Sequence, residues 1–206
     1  AIEKGTDLEN FVKRDRNRTS VFMWSIGNEI REQFDATGTT LTKSMTKTVR
    51  ELDPTRPVTA ALTETDYAKN FIAQAETLDV LGFNYKYFDY DKLKTEFKNT
   101  ALLASETTSA LQTRGVYQQP QDTIQLWPAS SKYKYVTNGN TDFTVSAYDN
   151  VAAYWGTSHE RAWLEVKKRD FLSGIFVWTG IDYLGEPVPY PYPARSSYYG
   201  IVDLAG

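Results

Sequence analysis

Residues 20–26 read SVFMWSI, a nearly unbroken apolar run that leads directly into Gly27, Asn28 and Glu29. A strand of a parallel sheet is covered on both faces, so it reads as a continuous hydrophobic run rather than an alternating one. Further runs of this kind follow at residues 57–62, 80–84, 101–105 and 174–178. We therefore predict five strands of a parallel sheet.

Helical patterns fill the intervals between these runs. A long one places apolar side chains at Leu41, Met45, Val49 and Leu52. A shorter one covers residues 71–78. Strands that alternate with such amphipathic segments predict βαβ units and an α/β fold.

The composition narrows the chemistry that the chain can perform. Its 206 residues include no cysteine and one histidine, His159, which excludes thiolate chemistry and argues against most zinc sites and Ser-His-Asp triads. The formal net charge is -3 without a long basic block, so nucleic acids and anionic membranes are disfavoured partners. No apolar run reaches the ~18 residues that a membrane span needs. Since the chain has no cysteine and one histidine, its acid–base chemistry must rest on carboxylates.

Two glutamates stand at the ends of predicted strands. Glu29 follows the first apolar run and Glu106 follows the fourth. Functional side chains of parallel sheets and barrels lie at the C-terminal ends of the strands, so these two could face one another across a barrel mouth. Paired carboxylates are what glycoside hydrolysis requires, one protonated and one ionised. Taken alone, Glu106 has an alternative interpretation as a charge that complements a helix dipole.

Aromatic residues make up 14% of the chain, and their faces can stack on the C–H faces of sugar rings. A large hydrophobic core accounts for the same count equally well. A polar, Tyr-rich segment without helical period covers about residues 112–150, and loops of that length are usually functional. Its residues Trp127, Tyr133 and Tyr135 fit a wall over a sugar site.

Three segments together resemble glycoside hydrolase family 2, whose members include β-galactosidases, β-glucuronidases and β-mannosidases. Residues 24–29 (WSIGNE) are similar to the family's acid/base motif, and residues 176–187 (FVWTGIDYLGEP) to the eighth-strand segment of its β-galactosidase-like members. Residues 82–85 (GFNY) extend the match. The resemblance implies a TIM (β/α)8-type barrel, present here as about strands four to eight. It makes residues 1–206 a partial catalytic domain, with strands one to three and the family's preceding β-sandwich domains absent.

The resemblance also implies a role for individual residues. Glu29 would be the catalytic acid/base and Glu106 the nucleophile. Asn28 would bond the sugar 2-hydroxyl, Tyr85 would hydrogen-bond the nucleophile, and Trp178 would form part of the sugar platform. Alternative interpretations are a packing role at the barrel top for Tyr85 and a core position for Trp178.

Further features of the family bear on specificity and cofactors. Some galactosidases of the family place a histidine three residues after the nucleophile, where this chain has Ser109, which weakens the case for galactose. His159 is expected to be a surface or supporting residue rather than a catalyst. Nothing in the sequence argues for a metal or another cofactor. The resemblance further implies a cis peptide bond at Trp178-Thr179.

The expected function is that of a retaining exo-β-glycosidase acting on terminal β-linked sugars, foremost β-galactosides. A β-glucuronidase or β-mannosidase is the alternative within the family, and a catalytically incomplete sugar-binding fragment is the alternative outside it. The expected partners are a carbohydrate substrate and the rest of the parent chain, or another copy, covering the open sheet edges at residues 20–26 and 174–178. The N-terminal sequence lacks a signal-peptide pattern and reads as the interior of a longer protein. No residue pattern decides the compartment, for which we favour a periplasmic or extracellular one.

Overall fold

A computed structural model of the chain describes residues 5–118, 120–127 and 142–206. The chain forms two compact units. The first unit comprises the described residues of Ala1–Asn84, Phe88–Ser105 and Phe171–Ser173. The second unit comprises those of Tyr85–Tyr87, Glu106–Asp170 and Gly174–Gly206.

Helices and strands alternate along the described chain, as predicted. The α-helices are α1 (Thr6–Asp15), α2 (Thr37–Leu52), α3 (Tyr90–Glu96) and α4 (His159–Lys167). The strands are β1 (Trp24–Asn28), β2 (Val58–Leu62), β3 (Val80–Asn84), β4 (Ala101–Thr108), β5 (Gln125–Trp127), β6 (Val151–Ala153) and β7 (Leu172–Trp178). Short 3₁₀ turns cover Arg31–Phe34, Tyr67–Lys69, Ala73–Ala75 and Tyr87–Asp89.

Five strands form one sheet in the order β1-β2-β3-β4-β7, which follows their order along the chain. The β1–β2 and β2–β3 pairs are parallel, with Trp24 opposite Val58 and Thr59 opposite Val80. Every residue of β2 is buried, as its uninterrupted sequence VTAAL requires of an inner strand. The predicted parallel sheet is therefore confirmed, and its five strands are part of the eight that a closed barrel needs.

The boundaries of two strands differ from the prediction. The first apolar run begins at residue 20, but β1 begins at Trp24, whose N–H donates to the carbonyl of Pro57. The guanidinium of Arg56 donates to the carbonyls of Val21 and Arg18, so a side chain rather than a neighbouring strand holds the preceding segment. The strand β4 continues to Thr108, three residues beyond the prediction, so that Glu106 lies inside it.

Each unit has a hydrophobic cluster of its own. In the first unit the side chains of α1, α2 and the first two strands meet at Val12, Trp24, Val49 and Val58. In the second unit the cluster joins Leu111, Val145, Val151, Ala153, Tyr190 and Tyr199. Within the residues that the structure describes, no helix combines the length and apolar character of a membrane span.

A buried carboxylate ties β1 to the end of α2 in the first unit. Asp53 is 4% exposed and accepts hydrogen bonds from Trp24 Nε1 at 2.9 Å and from Arg56 Nη1 at 2.6 Å. The backbone and side chain of Thr55 donate to it as well. Burial by itself would raise the pKa of Asp53, but these hydrogen bonds outweigh it and hold the pKa well below its ordinary value.

We expect Asp53→Ala to destabilise the full-length protein by about 3–5 kcal/mol, because it leaves the Arg56 charge without its carboxylate. The control Glu51→Ala removes an exposed partner on α2, at 3.7 Å from Lys47, and should cost under about 1 kcal/mol. Because the folded-state pKa is lowered, the contribution of Asp53 is present above its unfolded pKa of about 3.9 and is lost as the pH falls below it. Urea unfolding at pH 7 and pH 3 measures both effects. Equal losses for the two variants, or a wild-type advantage that grows on acidification, would contradict this.

Candidate active site

Strained backbone marks the ends of three strands. Among described non-glycine residues with positive φ, five follow or end β1, β3 or β4, namely Glu29 (49°), Tyr85 (54°), Lys86 (45°), Thr108 (77°) and Ser109 (52°). A non-glycine residue in this region costs about 1–3 kcal/mol, and such residues cluster at functional sites. The strained residues therefore lie at strand ends, where the sequence predicts functional side chains.

In the first unit, Glu29 directly follows β1 and is held at both its backbone and its carboxylate. Its N–H donates to the carbonyl of Ala61 at 2.9 Å. Its Oε1 accepts a hydrogen bond of 2.7 Å from Nδ2 of Asn84, the last residue of β3. The same nitrogen donates to Oδ1 of Asn28 at 2.9 Å, so one amide joins the two predicted site residues Asn28 and Glu29.

Asn84 was not among the predicted site residues. It is completely buried, and its own Oδ1 accepts from Oγ of Ser105 at 2.8 Å. The one sequence signal for it is its position at the end of the third apolar run, equivalent to that of Glu29 after the first. Its partners lie too far away along the chain for a local pattern to indicate them.

In the second unit, Glu106 is contacted twice by Tyr85. The Tyr85 hydroxyl donates to Oε1 of Glu106, and the Tyr85 N–H donates to the Glu106 carbonyl at 2.7 Å. The side-chain contact that the resemblance implies is therefore present in the structure. A phenol that donates to a carboxylate stabilises its ionised form, which is the form that a nucleophile needs.

Trp178 ends β7 in the second unit and is 39% exposed, so it is not a core residue. Its Nε1 donates to the hydroxyl of Tyr183 at 3.2 Å, and the two rings meet edge to face with centroids 5.8 Å apart. The expected cis peptide at Trp178-Thr179 is present. Burial, together with the charges of Glu186 and Glu106, raises the pKa of Tyr183, so its phenol stays neutral.

The residue in place of the family's histidine has an aromatic partner. Ser109 Oγ accepts from Nε1 of Trp155 at 3.1 Å, and both belong to the second unit. His159 begins α4 and pairs through Nδ1 with Asp149 at 2.9 Å, which is a supporting contact. Across residues 5–118, 120–127 and 142–206, no group of three or more His, Cys, Asp or Glu side chains is arranged to hold a metal ion.

The Tyr-rich segment is only partly described. Trp127 lies in β5, which pairs in parallel with β6, and its ring stacks on Tyr190 at a centroid distance of 5.3 Å. It thus packs against the core of the second unit instead of forming an open wall. Tyr133 and Tyr135 lie outside the described residues.

The fold agrees with the comparison to known families. Residues 5–178 match the family described as "Glycosyl hydrolases family 2, TIM barrel domain". The chain therefore belongs to glycoside hydrolase family 2 and carries part of its TIM-barrel domain.

Individual relatives show which members resemble this chain. It is 39% identical to the beta-galactosidase BoGH2A of Bacteroides ovatus, over 97% of this chain and 27% of that protein. It is 26% identical to a beta-glucuronidase of Chlorocebus aethiops, over 88% of this chain and 26% of that protein. Among solved structures, a family 2 member from Bacteroides cellulosilyticus covers 95% of this chain with a TM-score of 0.63 and 26% identity, over 20% of its own chain. The chain thus spans about a quarter of the length of these curated relatives.

Proposed function

We propose that the protein carrying this chain is a retaining exo-β-glycosidase that hydrolyses terminal β-linked sugars, β-galactosides first among them. The observation that carries the proposal is the hydrogen bond from the Tyr85 hydroxyl to Glu106, in a chain of glycoside hydrolase family 2. This bond orients the carboxylate for attack on an anomeric carbon, and a donated hydrogen bond favours the ionised form that such an attack needs. Oε1 of Glu29 accepts from the Asn84 amide, an arrangement that assigns proton transfer to the other oxygen, Oε2.

The proposed reaction has two displacements at the anomeric carbon. In the first, Glu29 gives its proton to the glycosidic oxygen while a Glu106 oxygen bonds to the anomeric carbon, and the aglycone leaves as an alcohol. In the second, the Glu29 carboxylate takes a proton from water as that water attacks the same carbon and releases Glu106. Two inversions give net retention, and Glu29 ends protonated, ready for the next cycle.

Other residues are proposed to hold the sugar. The side chain of Asn28 is oriented by Asn84 and is suited to bond the 2-hydroxyl. The exposed indole of Trp178 offers an apolar face to the sugar ring, and its edge is fixed by Tyr183. Neither interaction needs a metal or another cofactor.

The sheet edges support the proposal that more polypeptide accompanies this chain. β1 and β7 are the outer strands of the five-stranded sheet, and Phe22, just before β1, is 63% exposed. Open parallel edges with apolar side chains favour pairing or aggregation. We propose that the rest of the parent chain, or another copy, covers these edges.

Two substrates have specific support. The relative at 39% identity is named a β-galactosidase, which favours β-galactosides. Ser109 in place of the histidine of some galactosidases, and a relative named a β-glucuronidase, favour β-glucuronides as the second candidate.

Hydrolysis of nitrophenyl β-galactoside, β-glucuronide and β-mannoside, with the α-galactoside as the control, tests the proposal. We expect the full-length protein to hydrolyse the β-galactoside with the highest kcat/KM and to leave the α-anomer intact. Residues 1–206 alone should be inactive where the sugar site includes residues from barrel strands that lie outside this chain. A full-length protein that hydrolyses none of the β-glycosides would refute the proposed function. A higher kcat/KM on the β-glucuronide than on the β-galactoside would select the second candidate.

A further inference from the structure

We infer that Asn84 is a positioning residue for catalysis, which orients the acid/base Glu29 and the sugar-binding Asn28 through a single buried amide. The inference rests on the proposed function. Asn84 is the last residue of β3 and is completely buried. Asn28 ends β1 and Glu29 follows it, and β2 lies between β1 and β3 in the sheet. All of these residues belong to the first unit.

The side chain of Asn84 makes three of the four hydrogen bonds that an amide can form. An amide side chain has two N–H donors and a carbonyl oxygen with two lone pairs. The two donors serve Asn28 Oδ1 at 2.9 Å and Glu29 Oε1 at 2.7 Å, and the acceptor takes the Ser105 hydroxyl at 2.8 Å. The reversed amide would set its oxygen against two acceptor oxygens. The network therefore permits one orientation of Asn84.

The backbone beneath the amide is shaped to allow this arrangement. Gly82 lies on β3 two residues before Asn84, and a Cβ there would come within 2.5 Å of Ser105 Oγ. Only a residue without a side chain leaves room for Ser105 to reach Asn84. Gly82 belongs to the segment GFNY that resembles the family, where it had no assigned role. Its lack of a side chain makes room for the hydrogen bond between Ser105 and Asn84.

The network determines which oxygen of Glu29 performs the proton transfers. Oε1 accepts the Asn84 N–H whether Glu29 is protonated or ionised, so the transferable proton resides on Oε2. The same oxygen then donates to the leaving group in the first step and accepts from water in the second. Because Asn84 takes one lone pair of Asn28 Oδ1 and fixes the amide plane, we assign the contact with the 2-hydroxyl to the amide nitrogen of Asn28, which carries two N–H donors.

A comparison of leaving groups separates positioning of the acid from general damage to the fold. The kcat/KM of a retaining glycosidase reports the first displacement, and a dinitrophenolate leaves with little protonation, whereas a simple alkoxide requires the acid. For Asn84→Ala in the full-length protein, kcat/KM on a methyl or other alkyl β-galactoside should fall by about 10²-fold more than on the dinitrophenyl β-galactoside. Loss of the Asn28 contact would lower kcat/KM on both substrates equally. The ratio of kcat/KM on the dinitrophenyl substrate to kcat/KM on the alkyl substrate, the leaving-group ratio, would then stay unchanged.

The matched control is Asn70→Ala, which removes another completely buried asparagine of the first unit. Asn70 donates to the Glu64 carbonyl at 2.9 Å and accepts from the Ala73 N–H at 3.0 Å, and neither contact involves Glu29 or Asn28. It should lower stability without changing the leaving-group ratio. Should Asn84→Ala fail to fold, Ser105→Ala keeps the amide but removes the hydroxyl that holds its carbonyl oxygen, so the amide is less firmly placed and the ratio should still rise by about threefold or more.

The outcomes keep this inference apart from the function on which it rests. A wild-type protein that hydrolyses no β-glycoside would refute the proposed function itself. An active wild type whose Asn84→Ala variant loses activity equally on both substrates would overturn the positioning role and leave the function intact. A ratio unchanged in Ser105→Ala would overturn it in the same way.

Discussion

Glu106→Gly in the full-length protein should lower kcat/KM for every β-glycoside by about 10⁴-fold or more, because no other group replaces the attacking carboxylate. The loss should be independent of the leaving group, since even a dinitrophenolate cannot depart without a nucleophile at the anomeric carbon. Steady-state kinetics with alkyl, nitrophenyl and dinitrophenyl substrates measure this directly.

Azide should reveal the space that the missing carboxylate leaves. In Glu106→Gly the small anion can enter from the face opposite the leaving group and attack the anomeric carbon of an activated β-glycoside. This single displacement should yield the glycosyl azide of inverted configuration, which proton NMR identifies. Near-normal hydrolysis by Glu106→Gly would show that Glu106 is not the nucleophile.

Glu29→Gly should fail in a different way, because the nucleophile remains and the proton donor is lost. On alkyl β-glycosides kcat/KM should fall by about 10²–10⁴-fold, while dinitrophenyl substrates should still glycosylate the enzyme. Hydrolysis of the resulting ester then lacks its base and should become rate-limiting. Azide, which needs no base, should restore turnover and give the glycosyl azide of retained configuration.

The two glutamate variants are controls for each other. Both replace a glutamate with glycine, one directly after β1 and one inside β4, and a general loss of structure in either variant would abolish the azide reaction as well. Identical azide stereochemistry from the two variants would mean that the roles of Glu29 and Glu106 are wrongly assigned.

Strand positions were predicted well where local sequence alone sets them. Residues 80–84 form β3 as predicted, because an apolar run ends at buried Asn84 and the chain then turns left-handed at Tyr85. The start of β1 was misplaced because a distant side chain, Arg56, binds the preceding carbonyls. The helix predicted over residues 71–78 is a single 3₁₀ turn, Ala73–Ala75, which ends at Glu76 with a φ of 52°.

The candidate site was predictable only in part. Glu29, Glu106 and Tyr85 could be named because they stand in or beside recognisable strand-end segments. Asn84 and Ser105 could not, because their role arises from hydrogen bonds between residues that are 55 and 21 positions apart. The pairing of the three-residue strands β5 and β6 escaped prediction as well, since strands that short carry too little periodicity.

Covalent trapping tests the central claim of a double displacement through Glu106 most directly. A 2-deoxy-2-fluoro-β-galactosyl fluoride combines a good leaving group with a fluorine that slows both displacements, so the glycosyl-enzyme should accumulate and inactivate the full-length protein. Peptide mapping by mass spectrometry should then find one fluorosugar, attached to Glu106. Attachment to Glu29 or another residue, or turnover of β-galactosides without any covalent adduct, would contradict the account.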